Sequence, residues 1–123
     1  MPEKDKLKDI AEKEIKKLLD GLPQELRLKL AGVAVVLEFK PNKKQISDGI
    51  EEDCLGLFIG PSLRDGEEGS ILPRQIVLFI ENIFAEGQDS DLGFRAELRS
   101  TFLHELGHYL GLEESDLKLR NVD

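Results

Sequence analysis

The sequence has no tryptophan, one cysteine and only two histidines, and it is short of basic residues. Each scarcity removes a class of chemistry. With Cys54 as the only cysteine, no internal disulfide framework exists. A lone thiol fits a reducing compartment, and Cys54 reads as a small buried residue rather than a nucleophile, because both histidines are committed elsewhere. Lys and Arg total 17 against 25 Asp and Glu, a net charge of −8, which argues against a nucleic-acid or anionic-membrane surface. The one basic grouping, Lys13, Lys16 and Lys17, is interleaved with acids and reads as a solvated helix face. Long apolar runs are also missing. The stretch Val33 to Leu37 is far too short to span a bilayer. The opening Met-Pro-Glu-Lys-Asp-Lys has no apolar segment behind it, which predicts no secretory signal and a cytoplasmic location.

What is present suits a single folded domain over residues 1–123, with 40% hydrophobic and 34% charged residues, enough for one core and not for two. Leu7, Ile10, Ala11, Ile15, Leu18 and Leu19 recur with a helical period between Asp5 and Leu19, and Gly21 closes that helix. Leu22-Pro23 opens a short helical piece through Leu30. Val33 to Phe39 is β-branched and continuous, and predicts a largely buried strand ended by Pro41. Residues 42–72 read as a long irregular connection holding one short strand at Leu55–Ile59, a candidate sheet edge. Gln75 to Glu81 predicts a further strand. The turn Gly87 to Asp91 carries helix-capping residues, and a long helix follows to about Leu110, where Gly111 stops it. Residues 112–123 have room for one short terminal helix.

The two histidines are concentrated in one place. Residues 104–108 read His-Glu-Leu-Gly-His, and on a helix positions four apart share a face, so His104 and His108 can reach one metal ion. Glu105 lies one position round from His104, beside the metal where a bound water would sit, as a water-activating base requires. On a helical wheel of about 100° per residue, Phe94, Leu98, Phe102, Leu103, Leu106, Tyr109 and Leu110 fill one arc. His104 and His108 fall opposite, with Glu97 and Thr101 beside them. The histidines therefore stand outside the main core stripe.

A catalytic zinc takes three protein ligands and keeps a fourth position for water. No further histidine exists, so the third ligand is expected to be a carboxylate. Gly111 can turn the chain back towards the metal, and Glu114 lies ten residues after His104, with Glu113 and Asp116 as competitors.

The stretch His104-Glu-Leu-Gly-His-Tyr-Leu-Gly-Leu-Glu-Glu-Ser-Asp-Leu117 resembles the motif of the minimal zincin-like metallopeptidases of bacteria. In that family an acidic residue follows the HExxHxxG stretch where the related metzincins carry a third histidine. The resemblance extends to Leu22-Pro23, Val33 to Phe39, Gly56 to Pro61 and Pro73 to Ile80. It implies a compact α+β domain: a small mixed sheet packed against an N-terminal helix and a long zinc-binding helix. It also implies a Zn²⁺ cofactor and a peptide or protein substrate. His104, Glu105 and His108 carry over directly and Glu114 by position, although Glu stands at 114 where Asp is the family's usual form. Met1 is the only methionine, so no methionine turn underlies the metal, and fewer than ten residues follow Glu114. Both departures predict a shallow site whose substrate contacts come from a sheet edge and the 42–72 loop.

The leading expectation is peptide-bond hydrolysis by zinc-activated water with Glu105 as base. No oxyanion donor is identifiable. Tyr109 points away from His108 and reads as core, and Arg74 qualifies by residue type alone. The alternative is a non-catalytic zinc-containing binding module, for which a complete HExxH has no use. A small metal-dependent ribonuclease fits worse, given two histidines and the negative charge.

Overall fold

Helix α1 (Lys4–Gly21) forms because Leu7, Ala11, Ile15 and Leu18 recur at helical spacing, and all four are buried. It ends where Leu22 becomes extended, at φ −73° and ψ 148°, the region a following proline imposes on its predecessor. The computed structural model describes residues 3–61 and 73–111. Beyond α1 the element order is α2 (Gln24–Lys29), β1 (Val33–Glu38), α3 (Lys43–Ser47), β2 (Gly56–Ile59), β3 (Arg74–Phe79), α4 (Ile80–Glu86) and α5 (Asp91–Tyr109).

The three strands form one mixed sheet in the order β1-β3-β2. β1 runs parallel to β3, pairing Val33 with Arg74 through to Glu38 with Phe79. β2 runs antiparallel to β3, pairing Gly56 with Leu78 and Ile59 with Gln75. Central position explains the near-total burial of Ile76, Val77, Leu78 and Phe79. Ile76 and Leu78 join α1, α4 and α5 in one hydrophobic core that includes Leu7, Ile83, Phe94, Leu98 and Phe102. Helices on a small mixed sheet make this an α+β domain, as expected. Among the described residues, no helix is long and apolar enough to cross a membrane.

Three local expectations are corrected. The strand expected to be largely buried, β1, lies on an outer edge and is mostly half-buried. Val33, Val35 and Leu37 pack on the core while Ala34 is exposed. The strand expected to reach Glu81 stops at Phe79, and Ile80 already begins α4, whose Ile80, Ile83 and Phe84 bury at helical spacing. Within the connection read as irregular, α3 forms on a reciprocal capping box. Asn42 Oδ1 accepts from the Gln45 N–H at 2.8 Å, and Gln45 Oε1 accepts from the Asn42 N–H at 2.8 Å. The edge-strand expectation is met among the described residues, where β2 is the outer strand on its side.

Candidate metal centre

Everything at this site hangs on α5. Ser90 caps it, its Oγ accepting from the Gly93 N–H at 3.0 Å. Phe94, Leu98, Phe102, Leu106 and Tyr109 anchor the helix along one buried stripe. The far end is pinned by the Tyr109 hydroxyl, which donates to the Lys29 carbonyl at 2.6 Å, and by the Tyr109 ring, 5.6 Å from that of Phe58. Gly111, at φ 81°, then takes the left-handed turn that terminates the helix. The expectations for Tyr109 as core and Gly111 as helix stop both hold.

The opposite side of α5 is not a solvent face. Thr101 and Glu105 retain only 8% and 7% exposure, and His104 and His108 are half-buried. Strand β2 covers this side because Gly56 permits it. A Cβ there would lie 2.9 Å from both Thr101 Cγ2 and the Val77 carbonyl oxygen. A side chain at 56 would push the strand off the helix.

Between helix and strand the three motif residues converge. His104 Nε2 and His108 Nε2 are 3.1 Å apart, with the rings edge to face and centroids 4.7 Å apart. A tetrahedral zinc bound at about 2.0–2.1 Å by each nitrogen would set them about 3.3 Å apart, so this pair needs almost no rearrangement to ligate. One ligand atom from each of His104, Glu105 and His108 falls within 4.8 Å of the others. Two imidazoles converging on one point are donors suited to zinc, and the Glu105 carboxylate stands beside them. The residues present fit the metal.

Alongside lies a pocket of about 270 Å³. Leu55 and Gly56 form one side, and Glu97, Ser100, Thr101, His104 and Glu105 line it from α5. Leu55, Gly56 and Ser100 are site residues that the sequence did not single out. Ser100 stands four residues before His104 on the same helix, whereas Leu55 and Gly56 reach the motif residues only through the docking of β2 on α5.

Zincin-like metallopeptidases are described by a family model that matches residues 30–122, from the end of α2 through the motif and beyond it. This chain belongs to that family. A comparison with curated protein sequences finds no match. In this zincin-like domain the matched span carries the whole sheet, the motif helix and the expected third-ligand region. Glu114, Glu113 and Asp116 lie outside the described residues, as do positions 62–72 of the expected substrate loop.

The other candidates have ordinary structural duties. Arg74, considered as an oxyanion donor, gives its Nε–H to the Pro61 carbonyl at 2.9 Å and lays its guanidinium 5.5 Å from the Tyr109 ring centroid. Cys54 is half-buried, and its Sγ donates to the Gly56 carbonyl at 3.2 Å. Burial pushes the Cys54 thiol up, and the nearby negative charge of Glu105 adds to the effect. That favours the neutral thiol and disfavours a nucleophilic thiolate.

Proposed function

We propose that this zincin-like protein hydrolyses peptide bonds, with one zinc held by His104, His108 and Glu114 and with Glu105 as the general base. The observation that carries this reading is the 3.1 Å convergence of the two Nε2 atoms beside a buried Glu105. Zinc bound there supplies Lewis acidity, polarising the scissile carbonyl and lowering the pKa of its water to about 7. Glu105 would take one proton from the attacking water as the water oxygen adds to the carbonyl carbon. It would return the proton to the nitrogen as the C–N bond breaks, and with the water's second proton passing to the amine the products leave as a carboxylate and an ammonium. A zinc staple without turnover has no use for a water-activating carboxylate beside its ligands.

The same reading places the substrate on β2. Phe79 N–H donates to the Leu55 carbonyl at 2.9 Å, so 55, 57 and 59 direct their backbone groups towards β3. Gly56 and Phe58 therefore present theirs on the outer edge, which no strand among the described residues occupies. An extended peptide adding as a fourth strand would lie beside the metal. Short unfolded peptides are thus the favoured substrate class, with broad specificity. The test is zinc analysis combined with cleavage of a broad peptide library by zinc-loaded and zinc-stripped protein. Zinc-dependent cleavage supports the reading. One zinc per chain with no cleavage favours the non-catalytic binding module.

A further inference from the structure

We propose that the pocket running along α5 from His104 to Glu97 is a substrate subsite for a basic side chain, Lys or Arg, with Glu97 as its counter-charge. This rests on the peptidase reading and names the substrate class within it. Glu97, Ser100, Thr101, His104 and Glu105 stand three, four, seven and eight positions along one helix, so they share a face and line one groove. Glu97 and His104 are seven positions apart on α5, which sets them about 10 Å apart along the axis. A side chain entering beside the metal ligands must therefore be long to reach Glu97.

The lining changes character along that path. Leu55 and Thr101 line the stretch between, beside which an aliphatic stem can lie, and the half-buried Glu97 is the lining residue on α5 furthest from the histidines. Among the described residues, no Lys or Arg lines the pocket and Glu97 has no hydrogen-bond or ion-pair partner. The volume of about 270 Å³ falls just under the range of about 300–1,000 Å³ for pockets that enclose whole drug-sized ligands. It suits one long side chain.

Charge placement selects the cation. A doubly charged metal at the histidines repels any cation held against it. At about 10 Å, beyond the Debye length of about 8 Å at physiological ionic strength, that repulsion is largely screened. Glu97 is then the nearest charge to the incoming head group. An acidic side chain in the same pocket would face Glu97 with like charge, and a short one would leave the groove unfilled.

The test uses zinc-loaded full-length protein and N-acetylated peptides that differ only by Lys, norleucine or Glu at each position flanking the scissile bond. Norleucine keeps the stem and removes the charge. At one flanking position the native protein should prefer Lys over norleucine by about three- to tenfold in kcat/KM, the scale of a partly exposed ion pair. Glu97→Gln should collapse that ratio towards one, and Glu97→Lys should shift preference towards Glu. Glu12→Gln removes the same charge from α1 and should leave the ratio intact, separating local contact from net charge. Cleavage without basic preference, or a preference that survives Glu97→Gln, overturns the inference and leaves the hydrolase reading standing. A preference that appears only when the acetyl group is left off, following the free N-terminal amine instead of the side chain, also overturns it. If the protein cleaves nothing, the hydrolase reading fails and peptide binding by fluorescence polarisation decides the pocket. Tighter binding of the Lys peptide that depends on Glu97 supports it, and equal binding of the three peptides overturns it.

Discussion

Gly56 and Thr101 meet so closely that strand and helix have no slack between them: a Cβ on the glycine would lie 2.9 Å from Thr101 Cγ2. This contact holds β2 against the face of α5 that carries the metal ligands. It is the hinge on which both the outer strand edge and the pocket depend. Gly56→Val should therefore destabilise the fold by about 1–3 kcal/mol, the usual cost of overpacking, and widen the gap between β2 and α5. Urea unfolding with and without zinc measures it. A variant as stable as the native protein would mean that β2 can shift freely and the site is not held by this contact.

His104→Ala and His108→Ala should each lower zinc affinity by more than about a hundredfold, beyond the range typical of outer-shell changes. The two Nε2 atoms lie 3.1 Å apart, so in the proposed site either loss would leave a carboxylate and a single imidazole. Competitive titration against a chromophoric chelator reads the change. Elemental analysis that finds no zinc after reconstitution of the native protein removes the metal centre altogether.

Glu105→Gln should keep the zinc and abolish the chemistry. The amide is nearly isosteric in its buried position but accepts no proton at neutral pH, so kcat/KM should fall by about 10²–10⁴-fold. Loss of zinc in this variant would instead make Glu105 a ligand.

Among the acids that follow α5, Glu114→Ala should weaken zinc by more than about tenfold, while Glu113→Ala and Asp116→Ala change it little. The motif helix ends at Gly111 in a left-handed conformation, and Glu114 is the acid proposed as the third ligand. Should Asp116→Ala prove the damaging change, the ligand lies further along than proposed.

Cys54 should react slowly. Because burial and Glu105 raise its pKa, the thiolate fraction at a given pH is smaller than in the unfolded chain. The midpoint of its alkylation rate against pH should lie above that of the urea-unfolded protein, and in metal-free Glu105→Gln it should move down. A native midpoint at or below the unfolded one would contradict the neutral-thiol assignment.

Much of this protein is written locally. The four-residue recurrence of Leu7, Ala11 and Ile15 dictates α1, Ser90 and Gly111 mark the ends of α5, and His-Glu-Leu-Gly-His fixes three site residues by helical geometry alone. The small mixed sheet followed from the motif's resemblance more than from the strands themselves. Where local signals overlap, the sequence misleads. The apolar run from Ile76 crosses from strand to helix at Ile80 without a break or a capping side chain, and only the spacing of Ile80, Ile83 and Phe84 hints at α4. Strand order was equally hidden. Val33–Glu38 and Arg74–Phe79 are both apolar, yet one is an edge and the other the centre, because burial depends on which neighbours arrive on either side. The same holds for the site. Helical spacing brings His104, Glu105 and His108 together within one turn, whereas Leu55 and Gly56 reach them only through the packing of β2 across α5. Contacts between neighbours four residues apart are set by backbone geometry that any such helix shares. Contacts across more than forty residues exist only when the core has closed, and that closure decided the pocket, the strand edge and the burial of the catalytic carboxylate.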